Sequence, residues 1–314
     1  MALRYGSRSR PGTMVSTWLN GLVSGTVVSG AGYFGGGGWA AVATVDKFSF
    51  TDDSRTTLST GLSAATASGP AGMANSGVAG YFGGGYSGGA VATVDKFSFS
   101  DDSRSTLGTG LSAAVYSLAA MANSGTAGYF GGGTSPSRST VDKFAFSDDG
   151  RSTLGTGLSS TRNNLAGMAN SGTAGYFGGG ISLTATVDKF AFSDDGRTTL
   201  STGLSAARYA LAAMANSGTA GYFGGGNSAT TTVDKFAFSD DSRTSLGTGL
   251  SAATVQLAGM ANSGTAGYFG GGTVSGAVAT VDKFAFTDDS RSTLGTGLSS
   301  ARTELGAMAN AGVL

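Results

Sequence analysis

The sequence predicts an all-β protein, a six-bladed β-propeller of four-stranded blades preceded by an N-terminal arm. The main observation is an internal repeat, because units of this size must stack on one another to bury a shared core. In addition, no segment carries apolar residues at helical spacing over the length of a helix. The repeat is marked by the tripeptide Tyr-Phe-Gly, which begins at Tyr33, Tyr81, Tyr129, Tyr176, Tyr222 and Tyr268, so that successive copies lie 46 to 48 residues apart.

The first half of each repeat contains two candidate strands. In one unit, residues 165–170 are short and apolar, and Ser-Gly-Thr follows them as a turn signal. The next strand begins at Ala174 and runs through Tyr176 and Phe177 into a glycine triplet. Successive side chains of a strand point to opposite faces. This strand therefore needs cover on both faces.

The second half of each repeat contains two more candidate strands. Residues 186–192 place Phe190 and Phe192 on one face and Val187 and Lys189 on the other, and they end at the turn sequence Ser-Asp-Asp-Gly-Arg. The fourth strand is expected over residues 197–204. It is rich in Thr and Ser, as expected of a strand near solvent.

The number of strands predicts how the ring closes. Met-Ala-Asn occurs six times, and the last copy, at Met308, ends the chain where the next Gly-Tyr-Phe would begin. The first Gly-Tyr-Phe, at Gly32, has no Met-Ala-Asn before it. We therefore expect the C-terminal strand to complete the first blade. The predicted propeller spans 31–314, with repeats starting near 31, 79, 127, 174, 220 and 266.

The order of motifs within the repeat is similar to that of a known family. A glycine cluster closes an aromatic strand, an aromatic residue lies on the next strand, and an Arg-containing segment precedes the next unit. This order resembles the kelch repeat, and the resemblance implies radially packed blades with short edges. The chain departs from the kelch pattern at Leu107, Leu154 and Leu200, where the family usually has a fourth-strand tryptophan.

Residues 1–30 lie outside the repeat and form a basic arm. They contain three arginines and no acidic residue. A secretory signal is one interpretation of the basic start, but polar residues and a glycine interrupt the apolar stretch that follows. We expect the arm to dock on its own propeller or on a neighbouring subunit. Its candidate contact residues are Arg4, Arg8, Arg10 and Trp18.

The composition limits the chemistry available to the chain. It contains no cysteine and no histidine, which excludes thiol nucleophiles, Ser-His-Asp triads and most transition-metal sites. We therefore expect no enzymatic activity and no cofactor. No apolar run is long enough for a membrane span, and the three arm arginines are a weak basis for nucleic-acid binding.

The charged residues of the repeat have mainly structural interpretations. We expect Asp188, Lys189 and their copies to form ion pairs within or between blades. The Asp-Asp turns are expected to cap their own backbone, with the turn arginine nearby. Calcium binding at these turns is the alternative, because paired carboxylates suit hard cations. The sequence leaves that alternative open.

Variation among the repeats is concentrated on one predicted face. The strand directions place the loops between second and third strands on the same face as the links between blades, and these segments differ most from repeat to repeat. They form either a recognition surface or loops that vary because nothing packs on them. The candidate binding residues are Trp39, Tyr86, Tyr116, Arg138, Arg162, Asn163, Asn164, Tyr209, Gln256 and Glu304.

Tandem repeats spelled GYFGGG and VDKF look like those in structural proteins of cyanobacterial and marine tailed phages. The resemblance implies a virion component, such as a tail, fibre or capsid-associated protein, that meets other subunits through its arm and binds a host-surface glycan. The alternative is a free carbohydrate- or protein-binding propeller, secreted or at a bacterial cell surface. The ligand, the host and the oligomeric state stay open.

Overall fold

The computed structural model describes residues 30–181, 184–227 and 230–310, and they form a six-bladed β-propeller. Each blade is a four-stranded antiparallel sheet. No helix occurs within these three ranges. The predicted fold class is confirmed. Residues 1–29, with the predicted arm contacts Arg4, Arg8, Arg10 and Trp18, lie outside the described part of the chain.

Strands at equivalent positions of the six blades share nearly the same sequence. The innermost strands, which contact each other around the axis, are β4 (Ala71–Asn75), β8 (Ala119–Asn123), β12 (Ala166–Asn170), β16 (Ala212–Asn216), β20 (Ala258–Asn262) and β24 (Gly306–Ala309). The second strands are β1 (Ala31–Gly35), β5 (Ala79–Gly83), β9 (Ala127–Gly131), β13 (Ala174–Gly178), β17 (Ala220–Gly224) and β21 (Ala266–Gly270). The third strands are β2 (Val45–Ser49), β6 (Val94–Ser98), β10 (Val141–Ala145), β14 (Val187–Ala191), β18 (Val233–Ala237) and β22 (Val281–Ala285). The outermost strands are β3 (Arg55–Thr57), β7 (Arg104–Thr106), β11 (Arg151–Thr153), β15 (Arg197–Thr199), β19 (Arg243–Ser245) and β23 (Arg291–Thr293).

The ring closes through the C-terminal strand, as the number of strands predicts. Strand β24 pairs with β1 and places Met308 opposite Tyr33. Blade 1 therefore consists of β24, β1, β2 and β3, and blades 2 to 6 follow in chain order. The predicted fourth strand is too long, because β15 ends at Thr199. Beyond it, the chain bends and Leu204 N–H returns to the carbonyl oxygen of Ala185, which buries the Leu204 side chain in the core.

Both faces of the second strand are covered, as its two aromatic residues predict. In blade 4, the Tyr176 ring stacks on Phe238 of blade 5 at a centroid distance of 5.4 Å. Phe177 meets Phe190 of its own blade edge to face, and its ring tip lies against Gly131 of blade 3. A Cβ atom at Gly131 would lie 2.7 Å from that ring. The glycine is therefore required by the close approach of neighbouring blades.

The tyrosine of each second strand and the lysine of each third strand clamp the next blade. Tyr176 Oη donates to Asp241 Oδ1 at 2.8 Å, and Lys189 Nζ donates to Asp241 Oδ2 at 2.7 Å. The same pair of bonds occurs at all six junctions and includes the one from Tyr268 and Lys283 to Asp53 that closes the ring. Burial, with the hydrogen bond to Asp241, raises the pKa of Tyr176 above its ordinary value.

The predicted ion pairs exist. Those of the lysines join neighbouring blades, whereas each strand aspartate pairs with the turn arginine of its own blade, as Asp188 does with Arg197 at 3.5 Å. The lysine partner is the second aspartate of the next blade's turn and not the adjacent strand aspartate. The first aspartate of the turn caps its own backbone, since Asp194 Oδ1 accepts from Gly196 N–H at 2.9 Å. Both turn carboxylates therefore have structural hydrogen bonds.

Candidate functional site

The variable loops and links share one face of the ring, which we call the link face. It comprises the loops between second and third strands and the links that lead from each outermost strand to the next blade. Short backbone bridges join the two, for example between Ser68 and Tyr86 and between Arg138 and Arg162. The predicted placement of these segments on a common face is confirmed. The Asn-Ser-Gly turns, such as the one around Val78, lie on the opposite face.

Large apolar side chains are exposed mainly on the link face. Trp39 is 75% exposed and Tyr86 is 39% exposed, and Val274 is exposed next to them in the ring order. These three residues belong to blades 1, 2 and 6, which are consecutive. Tyr116 extends the group, because its ring meets Tyr86 edge to face at 5.4 Å. We call Val274, Trp39, Tyr86 and Tyr116 the aromatic arc.

Two further exposed apolar residues lie outside the aromatic arc. Ile181 projects from the loop of blade 4 on the link face, and Val78 is on the opposite face. Val78 stands where the turns of blades 3 to 6 have threonine. Among the described residues, the link face therefore carries all the exposed large apolar side chains except Val78.

Arg162 and Asn163, predicted as binding residues, are buried. Arg162 is 1% exposed, and its Nη1 donates to the carbonyl oxygens of Gly179 and Thr186 while its Nη2 donates to Asp188. Asn163 donates to Ser137 Oγ at 2.7 Å. Arg162 is thus a structural residue that ties its link to blade 4, since both terminal nitrogens of its guanidinium donate inside the protein, whereas the buried Nε has no partner.

The same buried ion pair recurs before two other blades. Arg208 Nη2 lies 2.5 Å from Asp234 Oδ2, and Arg302 makes the equivalent contact with Asp46. Burial alone would raise the pKa of Asp234. Hydrogen bonds from Ser245 and Ser205, together with the charge of Arg208, outweigh burial and hold this pKa below its usual range. Burial lowers the pKa of the Arg208 guanidinium, and the charge of Asp234 opposes that effect.

The mouth of the central channel is built by a closed ring of backbone hydrogen bonds. One link residue per blade has a left-handed backbone, with φ between 46° and 58°. Each N–H donates to the carbonyl oxygen of the preceding member at 2.7 to 3.1 Å. The members are Gly69, Ser117, Asn164, Ala210, Gln256 and Glu304. Repeat variation at these positions therefore changes the side chains around the axis and leaves the backbone ring unchanged.

Three predicted binding residues meet at this mouth. Asn164, Gln256 and Glu304 line a cavity of about 80 Å³ on the axis. Gln256 Nε2 donates to Glu304 Oε1, and Gln256 Oε1 accepts from Thr303 Oγ1 at 2.9 Å, which fixes the orientation of the amide. The sequence did not identify the backbone ring, because its bonds join links about one repeat apart.

The remaining predicted residues lie apart from these groups. Tyr209 is half-buried in the link before blade 5, and Arg138 is half-buried in the loop of blade 3, where its Nη2 donates to the carbonyl oxygen of Ser135 at 3.4 Å. The predicted set thus divides into members of the aromatic arc, an axial group, buried structural residues, and Tyr209 and Arg138, which belong to none of these.

The described residues contain no group of three or more carboxylate, His or Cys side chains that could hold a metal ion. None of them belongs to a helix long and apolar enough to cross a membrane. In comparisons with known proteins, the sequence matches no family model and no curated protein. The resemblances to kelch repeats and to phage structural proteins gain no support from these comparisons.

Proposed function

We propose that the protein is a non-enzymatic binding protein that uses the link face of a rigid propeller to recognise a partner. The observation that carries this proposal is the aromatic arc. Tyr and Trp are the residues that most often anchor interfaces, and Trp39 is the most exposed large apolar side chain of the described residues. The strands and the inter-blade contacts beneath the arc are nearly the same in every repeat, so the sequence differences between repeats are concentrated in this surface.

The setting we propose is a virion, in which the propeller is a tail, fibre or capsid-associated subunit that binds a host-surface glycan. The resemblance of the repeat sequence to phage structural proteins supports this setting, as does the basic sequence of residues 1–30. Aromatic side chains also suit sugar rings, because they offer apolar contact at low entropic cost. The competing proposal is a free carbohydrate- or protein-binding propeller. It draws on the same arc and needs no assembly through the arm.

Binding to a glycan array tests the recognition face. The full-length protein is compared with W39A/Y86A and with V78T, which replaces the exposed valine of the opposite face by the residue of the other turns. We expect the double variant to lose at least tenfold in affinity and V78T to bind like the wild type. Equal binding by all three proteins, or no binding to any glycan, would contradict the proposal.

The molar mass in solution separates the two settings. A defined oligomer for the full-length chain and a monomer after removal of residues 1–30 supports assembly through the arm. If both are monomers, then the virion proposal loses its assembly device and the free binding protein is favoured.

A further inference from the structure

Three of the six blades lack the buried arginine that the other three share. The buried arginine occupies one position in the links that lead into blades 1, 4 and 5. At the equivalent position, the links into blades 2, 3 and 6 have Thr66, Val115 and Thr254. The aspartate that the arginine would meet is nevertheless present in every blade. The difference between blades 5 and 6 shows what its loss leaves behind.

In blade 6 the retained carboxylate belongs to Asp282, which is 5% exposed. Its Oδ2 accepts from the backbone N–H and the Oγ of Ser251 at 2.7 and 2.8 Å. The nearest cation is Arg291, whose Nη1 lies 3.5 Å from Oδ1. Asp234 of blade 5 has the equivalent serine and turn-arginine contacts and, in addition, the guanidinium of Arg208.

A cavity of about 20 Å³ opens in blade 6 at the place that a guanidinium fills in blade 5. Thr254, Gly271, Thr280 and Asp282 line it. Gly271 and Thr280 correspond to Gly225 and Thr232, whose carbonyl oxygens accept from Arg208 Nη1 at 2.8 and 3.1 Å. We call this cavity the blade 6 socket. It retains the acceptors for a guanidinium and lacks the donor.

The blade 6 socket communicates with the link face, because the exposed residues Ser251 and Val274 also line it. The equivalent cavity of blade 3 is smaller, about 10 Å³, and Arg138 already lies against it together with Val115 and Asp142. Blade 6 therefore offers the larger of these two cavities.

We propose that the blade 6 socket binds a guanidinium group. A planar guanidinium presents several N–H donors in fixed directions and is weakly hydrated, whereas an ammonium is a compact, strongly hydrated charge. Two carbonyl oxygens and a buried carboxylate in the geometry of blade 5 match the former. The proposal rests on the repeat geometry and does not depend on the function proposed for the aromatic arc.

The guanidinium has two sources. One is an arginine side chain or a guanidino compound from outside the chain. The other is the arm of this chain or of a second copy, since Arg4, Arg8 and Arg10 lie outside the described residues. Both supply the same group to the same acceptors.

The test is a titration of the full-length protein with methylguanidinium, followed by NMR at the amides of Ser251, Gly271 and Thr280. Methylammonium at the same ionic strength is the ligand control. The T254R variant fills the socket with the side chain that blade 5 carries, and T254V keeps the socket empty and tests for a general effect of substitution. The arm variant R4Q/R8Q/R10Q distinguishes the two sources.

We expect saturable shifts with methylguanidinium in the wild type and in T254V, at least tenfold weaker binding of methylammonium, and no shifts in T254R. T254R should also melt at a higher temperature than the wild type. If the arm occupies the socket, shifts appear only in the arm variant. The proposal is overturned if neither the wild type nor the arm variant responds, or if T254R responds like the wild type.

Discussion

The buried arginine before blade 5 offers a prediction whose size can be estimated from the structure. Replacing Arg208 by threonine gives this link the residue that the link before blade 6 has naturally. The substitution removes two hydrogen bonds to carbonyl oxygens and the contact of Nη2 with Asp234. Removal of one partner from a buried ion pair costs about 3–5 kcal/mol.

A comparison with blade 6 indicates that R208T lowers the free energy of unfolding by an amount at the lower end of that range. In blade 6 the buried carboxylate of Asp282 has no link arginine, and Ser251 and Thr293 donate hydrogen bonds to it instead. In the R208T variant, Ser205 and Ser245 would hold Asp234 in the same way. We therefore expect a loss of about 3 kcal/mol, which lowers the melting temperature by roughly 6 °C for a domain of this size.

Urea unfolding followed by circular dichroism measures this loss. The matched control is R243T, which removes an arginine from the same carboxylate. Arg243 lies 3.7 Å from Asp234, and its side chain is 28% exposed, so we expect a cost below about 1 kcal/mol. If R208T and R243T cost the same, or if R208T costs less than about 0.5 kcal/mol, then the buried guanidinium does not stabilise the junction and the reasoning is refuted.

Three further predictions concern the junctions between blades. G175A should cost about 1–3 kcal/mol, because the new Cβ would lie 2.1 Å from Met121 Sδ. Y176F should cost about 2 kcal/mol, since it removes a hydrogen bond to the charged Asp241. Acid should destabilise the fold: the pKa of Asp234 is lower in the folded chain than the value of about 3.9 in an unfolded one. Its contribution is therefore complete above about pH 4 and is lost as the pH falls through the folded pKa.

Each of these predictions has a result that would contradict it. G155A adds a Cβ where no heavy atom lies within 4 Å, so a cost equal to that of G175A would contradict the packing argument. For Y176F, an unchanged urea midpoint would show that the hydroxyl contributes nothing. For the acid prediction, the urea midpoint should be nearly the same at pH 7 and pH 5 and lower at pH 3. A flat profile would mean that Asp46, Asp188 and Asp234 have the same pKa in both states, against the lowered folded values.

The strands and the closure of the ring could be predicted because their signals are local and repeated. Tyr176 and Phe177 required cover on both faces, and the isolated Met-Ala-Asn at Met308 left one place for the last strand. The predicted length of the fourth strand was wrong, because Leu200 and Leu204 extend the apolar pattern past the point where the chain bends. Periodicity alone does not distinguish a strand from a bend that buries the same leucines.

The site could be predicted only in part. The exposure of Trp39 and Tyr86 followed from their place in variable loops. The burial of Arg162 did not, because its partner Asp188 lies 26 residues later in a strand of the next blade. A signal was present in the sequence, since arginine occupies the same link position in three of the six repeats, each time before a blade with the same strand aspartate.

The most direct test of the central claim is to locate the bound surface. The measurement is amide hydrogen exchange of the full-length protein, with and without the glycan that gives the strongest array signal. We expect slower exchange in the loops around residues 37–43 and 84–92 and in the link around Tyr116, with no change in the Asn-Ser-Gly turns at 75–78 and 123–126. Protection centred on those turns would place the binding surface on the opposite face and contradict recognition through the link face.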